Sequence, residues 1–191
     1  MIERYTRPEM GHLWSIQNEW QTILNVEIAA CEAMAELGEI PAAAVENIKK
    51  NAKFDVARIN EIEKVTDHDI IAFLTNLEEN VGEDSKYIHK GLTSSDVKDT
   101  AYCIMMRDAA AIILDDLRAF RTVLRRRADE FRHTPCIGRT HGIHAEPMTF
   151  GLKMLLWSAE IERDIERLTR AKEVVSVGKL SGAVGTYSNI N

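Results

Sequence analysis

Only three cysteines, four prolines and ten glycines occur among 191 residues, and aromatic side chains make up just 6%. Each scarcity closes a class of answers. Cys31, Cys103 and Cys136 are odd in number and far apart, which suits buried reduced thiols and not a disulfide framework or a zinc cluster. Few prolines and glycines, beside abundant Ala, Leu, Ile, Glu, Lys and Arg, argue against a turn-rich sandwich or barrel and for an all-α class. No segment approaches the ~20 uninterrupted apolar residues of a membrane span, and the charged start MIERYTRPEM lacks the apolar core of a signal peptide. A soluble, cytoplasmic protein without a membrane partner is expected. Positive charge is also in deficit. A net charge of -6 and a pI near 5.6 exclude a large phosphate-backbone footprint, so nucleic acid is not an expected partner.

What is present is helical periodicity over a chain that is 45% apolar, enough for a sizeable core. From Pro8 to about Leu37 the positions Ile16, Trp20, Ile23, Leu24, Ala30, Met34 and Leu37 recur at helical spacing, and Gly38 and Pro41 then stop the helix. Residues 42 to 51 read as a short helix. Val56 to Leu77 reads as one or two more, interrupted near Thr66. After the polar stretch EDSKYIHKGLTSSD, a run from about Asp96 to Phe131 carries Ile113, Leu117, Phe120 and Leu124 on a 4-3-4 seam. At 1.5 Å per residue this helix is roughly 50 Å long. Thr134, Pro135 and Gly138 end it, and GRTHGIHAEP reads as a polar loop. A second long helix, from about Thr149 to Ser176, bears the stripe Ile161, Ile165, Leu168 and Val175. Two such antiparallel helices cannot cover both of their own apolar faces, so the sequence looks incomplete or obligately oligomeric.

The polar residues that fit a purely structural role least well gather in three places. VTDHDII holds Asp67, His68 and Asp69, where a carboxylate can orient an imidazole. Capping explains the same doublet. So would a metal-dependent phosphohydrolase, except that only His12 is available upstream as a further ligand. In HKGLTSSDVKDT, the hydroxyls of Thr93, Ser94 and Ser95 precede a helix whose first turn holds Asp96 and Asp99. Ordinary capping accounts for one or two hydroxyls. A spare hydroxyl and free N–H groups then remain at a positive helix end, suited to a carboxylate or phosphate, with His89 and Lys90 just upstream. In GRTHGIHAEPMTFG, His141 and His144 lie between two rigid helices, which suits general acid-base work; no second ligand pattern completes a metal site, and no metal or organic cofactor is expected. GKLSGAVG fails as a phosphate loop, since its Gly-Lys precedes the small residues and no strand introduces it. It reads as a tight turn. Arg125, Arg126 and Arg127 read as a solvated helix face.

Taken in order, MIERYTRPEM, KVTDHDIIAFL, KYIHKGLTSSDVKDTA, GRTHGIHAEPMTFGLK and GKLSGAVGTY resemble segments of the fumarase and aspartase superfamily, across nearly the whole chain. The opening RYTRPEM and the HDIIAF segment are similar to its adenylosuccinate lyase branch. The resemblance implies an amino-terminal helical domain over 1–92 and, over 93–191, the start of a central long-helix bundle. It implies a homotetramer associating through the central helices, with active sites shared between subunits. It also implies a mobile GSSxMPxKxN-like loop carrying the base, and no such segment occurs before Asn191. The 191-residue chain is therefore expected to be inactive alone.

The reaction so implied removes fumarate from adenylosuccinate to give AMP, and from the succinylated aminoimidazole carboxamide ribotide of purine synthesis. Taking a proton beside a carboxylate builds charge that Thr93, Ser94 and Ser95 can stabilise at a helix start. The leaving purine nitrogen needs an acid with a pKa near working pH, which by resemblance is His141, with Thr140 beside it at the substrate. His68 is expected as its catalytic partner, oriented by Asp69, with Asp67 adjacent. Arg4 and Tyr5 match the family's phosphate-binding start, with His89 a further candidate. Two other readings stand beside this one: another lyase of the superfamily, such as one acting on argininosuccinate, or a non-catalytic helical assembly fragment.

Overall fold

In the computed structural model, which describes residues 2–190, the all-α reading holds, with a small hairpin added and one expected helix divided in two. Helix α1 spans Pro8–Leu13, α2 Ile16–Glu36, α3 Ala42–Asn51, α4 Val56–Thr66 and α5 Asp69–Val81. Helix α6 spans Ser94–Glu130, strands β1 and β2 span Pro135–Thr140 and Ile143–Thr149, and α7 spans Phe150–Val175. Short 3-10 turns occupy Glu3–Tyr5 and Gly82–Tyr87. Among the described residues no helix is long and apolar enough to cross a membrane.

The single helix expected from Pro8 to Leu37 is two helices. Ser15 takes an extended conformation (ψ 150°), and its hydroxyl accepts from the Asn18 N–H at 3.2 Å. Its own O–H donates to the carbonyl of His12. An N-cap of this kind restarts a helix without disturbing the apolar spacing, which is why periodicity alone does not reveal the break. The expected interruption after Thr66 is present: Asp67 closes α4 in the left-handed region (φ 49°), and extended His68 starts α5.

The chain divides into two compact units, residues 1–105 with 176–191, and residues 106–175. In the first, α2 to α5 enclose Ile23, Ile48, Ile59, Phe73 and Leu77, with Trp20 stacked on Phe73 at 4.8 Å. Each fully buried side chain of this kind contributes about 1.5 to 3 kcal/mol. Val97 and Ala101 belong to the same core, so the first turns of α6 are held by packing as well as by their backbone.

In the second unit α6 and α7 share a small core of Leu124, Ala128 and Met154. Arg121 and Arg125 of α6 both reach Glu162 of α7, at 2.5 and 2.9 Å. Of the expected α6 seam only Leu124 is buried, while Ile113 and Phe120 are exposed. Leu152, Leu155, Leu156 and Trp157 on α7 are likewise exposed. Two helices cannot cover four apolar faces.

The polar loop expected at 138–147 is instead an antiparallel hairpin, with Thr140 opposite Ile143 and Arg139 opposite His144. Its two turn residues, His141 and Gly142, both have positive φ, 50° and 75°. That is the pattern of a type I′ turn, which matches the twist of the strands it joins. Next to the hairpin, α7 starts hard against the end of α6. The Gly151 N–H donates to the Phe131 carbonyl at 3.0 Å, and a Cβ on Gly151 would lie 2.4 Å from the Ala128 carbonyl oxygen and 2.7 Å from the Arg132 backbone. Backbone cannot yield as a side chain tip can. Gly151→Ala should therefore destabilise by about 1 to 3 kcal/mol, the usual scale of overpacking. Urea unfolding checks this, and an unchanged midpoint would show that the two helices separate freely there.

Candidate active site

The start of α6 is organised by one buried carboxylate. Asp96 is 1% exposed, and its Oδ2 accepts from the Thr93 N–H at 2.9 Å. Its Oδ1 accepts from Lys179 Nζ at 2.7 Å and from the Ser181 N–H at 2.9 Å, and the Gly182 N–H reaches both oxygens at 3.3 Å. Burial pushes this carboxyl up, but Lys179 and the N–H groups of Ser181 and Thr93 outweigh it and hold it below the usual carboxylate range. Asp96 is thus more than an acid in a first turn. It fixes the segment after α7 across the start of α6, and Thr100 adds to the hold by accepting from the Lys179 N–H at 2.9 Å and donating to its carbonyl at 3.1 Å. Gly91 (φ 74°) lets the same segment close in, since a Cβ there would stand 2.5 Å from the Asn189 carbonyl oxygen. GKLSGAVG is therefore a strap.

Asp96 takes the Thr93 N–H, and the hydroxyls of Thr93, Ser94 and Ser95 have no hydrogen-bond partner among the described residues. The opening N–H groups of any helix lack intrahelical acceptors. Three hydroxyls and these donors stand at the positive end of a 37-residue helix, a chemistry suited to a carboxylate or phosphate.

The doublet of α5 is brought to this place. Asp69 Oδ2 accepts from Lys98 Nζ at 2.5 Å, one turn beyond Ser94 and Ser95, and Asp69 Oδ1 accepts from the Ile70 N–H at 2.7 Å. Burial raises the Asp69 carboxyl, but the Lys98 hydrogen bond, the Ile70 N–H and the nearby charges bring it below its ordinary value. Lys98 is raised in turn, chiefly by its hydrogen bond to Asp69. The expectation that Asp69 orients His68 needs correction: His68 Nδ1 stands 3.6 Å from Asp69 Oδ1, beyond a hydrogen bond. The carboxylate is engaged by Lys98, and His68 Nδ1 instead faces the Ile71 N–H at 3.4 Å, as the N-cap of α5. An acceptor at Nδ1 puts the proton of the neutral ring on Nε2. Asp67 is the left-handed C-cap of α4. Beside this group, Tyr102 donates to Glu19 at 2.8 Å.

His89 lies in a left-handed turn (φ 64°) before α6. Glu27 of α2 holds it twice, accepting from its N–H at 3.0 Å and meeting its Nδ1 at 2.5 Å. Lys90, by contrast, turns toward the carbonyl of Glu39 at 3.2 Å. Arg4 and Tyr5 are both exposed, with the guanidinium 4.8 Å over the Tyr5 ring. The nearby Cys31 thiol is pushed up to about 12 by burial, then by the charges of Glu27 and Glu32, and is inert at neutral pH.

In the second unit Thr140 ends β1, and His141 is the first residue of the I′ turn, with both side chains exposed. His144 is in β2, opposite Arg139. Among the described residues no group of three or more His, Cys, Asp or Glu side chains is arranged to hold a metal ion.

Sequence reading missed Glu27, Lys98 and Lys179. Glu27 left a signal, because it interrupts a buried stripe of Ile23, Leu24 and Cys31 on α2. Lys98 and Lys179 left none, since their partners are 29 and 83 residues away.

Comparison with known proteins places this arrangement in a family. The chain is 52% identical over 191 residues to a protein named adenylosuccinate lyase of Bacillus subtilis, and 54% identical over 191 residues to one of Synechocystis. In both cases it covers all of this chain and 44% of the relative, so the chain spans less than half the length of the curated proteins it matches. Among solved structures it superposes on a fumarate lyase of Mesorhizobium with a TM-score of 0.91 and 32% identity, over 97% of this chain and 44% of that one. It superposes equally on a 3-carboxy-cis,cis-muconate lactonizing enzyme of Pseudomonas putida, with a TM-score of 0.91 and 28% identity, over 98% and 44%. The family described as Lyase matches residues 3–191, and the chain belongs to that family.

Proposed function

We propose that this chain is the amino-terminal portion of an adenylosuccinate lyase, a carbon-nitrogen lyase that releases fumarate from adenylosuccinate and from the succinylated aminoimidazole carboxamide ribotide. The observation that carries the reading is identity above one half, along the entire chain, to proteins of that name. The architecture does not choose the substrate by itself, because a muconate lactonizing enzyme shares it.

The free donors of Thr93, Ser94 and Ser95 suit the carboxylate beside which the proton is removed, whose charge grows as the carbanion forms. His141 then gives its proton to the purine nitrogen as the carbon-nitrogen bond breaks. His68, with Nε2 free to act, is its catalytic partner at the succinyl-bearing end. Asp67 and Asp69 frame that histidine, Asp69 through its tie to Lys98 and so to α6. Thr140 contacts substrate beside His141, while Arg4, Tyr5 and His89 hold the phosphate. The base is assigned to no residue of this chain. The complete enzyme is a cytoplasmic homotetramer whose active sites are shared between subunits, a reading supported by the uncovered apolar faces of α6 and α7.

Fumarate release from adenylosuccinate is the test, run on this chain alone and on the chain mixed with the remaining carboxy-terminal part of the Bacillus subtilis relative. Activity only in the mixture is expected. No activity, with both pieces folded and associated, would overturn the substrate. The runner-up, a lyase acting on argininosuccinate, is separated by competition: AMP should inhibit and arginine should not.

A further inference from the structure

Glu27 sits where the core asks for an apolar residue. It is 0% exposed in the middle of α2, on the face that carries Ile23, Leu24 and Cys31. Its carboxylate makes two contacts, both to His89, which is 62 positions away. Burying a carboxylate to pair it with a histidine is a poor way to stabilise a fold, since an apolar side chain of similar volume commonly does as well or better. What the pair does achieve is geometric. One oxygen holds the His89 N–H, which keeps a non-glycine residue in the left-handed region, and the other holds ring Nδ1. Position, ring plane and tautomer are then all set by one side chain, as with the carboxylates that stand behind ligating histidines. The ring is still 14% exposed, and its Nε2 has no partner among the described residues.

We infer that Glu27 is a positioning residue, which holds the His89 Nδ1–H so that Nε2 is presented to the phosphate of the nucleotide. The role rests on the phosphate reading of His89 proposed above. With an anion at each nitrogen, the bound ring donates from both ends. Glu27 itself never touches substrate.

Imidazole nitrogen NMR of this chain, followed by kinetics of the complemented enzyme, tests it. The His89 ring should carry its proton on Nδ1, and in Glu27→Gln this should shift toward Nε2, because one amide oxygen cannot serve both N–H groups. KM for adenylosuccinate should rise about tenfold or more, the scale on which a partner behind a ligating imidazole acts, with kcat within about threefold. The dephosphorylated nucleoside as a competing ligand should bind the variant and the wild type alike. In the double variant with His89→Gln the loss should equal that of His89→Gln alone. A wild-type ring without a proton on Nδ1 overturns the proposal without any variant, and so do additive losses in the double variant. If Glu27→Gln does not fold, Glu27→Met removes both acceptors while filling the site, and the same tautomer change is expected. An unchanged KM in His89→Gln would overturn the phosphate reading and the binding role derived from it, while the tautomer result would still report whether Glu27 sets the ring.

Discussion

Replacing His141 with Asn should lower the turnover number of the complemented enzyme by about 100-fold or more, the usual worth of a general acid, while the chain stays as stable as before. The two halves of this expectation have different origins. His141 holds φ 50° as the first residue of a I′ turn whose second is Gly142. Asn is among the residues that adopt this conformation most readily, and Asn-Gly is a preferred pair for such a turn. The hairpin therefore keeps its register and its Arg139 to His144 pairing, and only the ionisable ring is lost. His141→Ala removes the same ring but places at positive φ a residue that adopts it less readily than His or Asn, at a cost of up to about 1 kcal/mol. Comparing the two separates chemistry from folding: both lose activity, and only Ala lowers the unfolding midpoint. A turnover number within about threefold of wild type in His141→Asn would remove His141 from the role of acid.

How far the sequence reaches depends on the range of each interaction. Helix α3 emerges at its expected bounds because Gly38, Pro41 and a short apolar stripe are local signals. The break between α1 and α2 escapes notice because Ser15 caps without altering the apolar period. The hairpin escapes because Gly138, Pro147 and three charged or histidine side chains, Arg139, His144 and Glu146, make its strands look like loop, and because His-Gly stands where Asn-Gly would announce the turn. At the site, the helix start at Thr93, Ser94 and Ser95 is legible, since N-cap chemistry is written within four residues. The hub at Asp96 is not, because its decisive donors lie 83 to 86 positions along the chain. Asp69 fails in the opposite sense. Its neighbour His68 is adjacent in sequence, yet Lys98, 29 positions away, takes the carboxylate. Adjacency proposes partners, and three-dimensional packing selects among them.

The hub also makes the second large effect. Asp96→Ala should destabilise the chain by about 2 to 4 kcal/mol, since it strands the N–H groups of Ser181 and Gly182 and leaves Lys179 without its carboxylate. Lys179 is partly exposed and can turn to water, which places the loss below that of a fully enclosed pair. Amide hydrogen exchange locates the damage: Ser181 and Gly182 lose protection in the variant, while Ile48 and Phe73 in the core change only through global stability. The same carboxylate makes stability depend on pH. A carboxyl lowered on folding contributes fully above its unfolded value, about 3.9 for Asp, and that contribution disappears as pH falls through the folded value. Asp69 is lowered in the same direction, so both act together in acid. Wild-type stability should therefore fall as pH drops below about 4, and Asp96→Asn, which keeps the shape but cannot titrate, should show a shallower fall from a lower starting point. Equal slopes in the two proteins would mean that the strap is not held through the charge of Asp96. A shallower slope would mean that one buried carboxylate couples acid stability to the geometry of the helix start, because the carboxylate that takes the strap through Lys179, Ser181 and Gly182 also takes the Thr93 N–H.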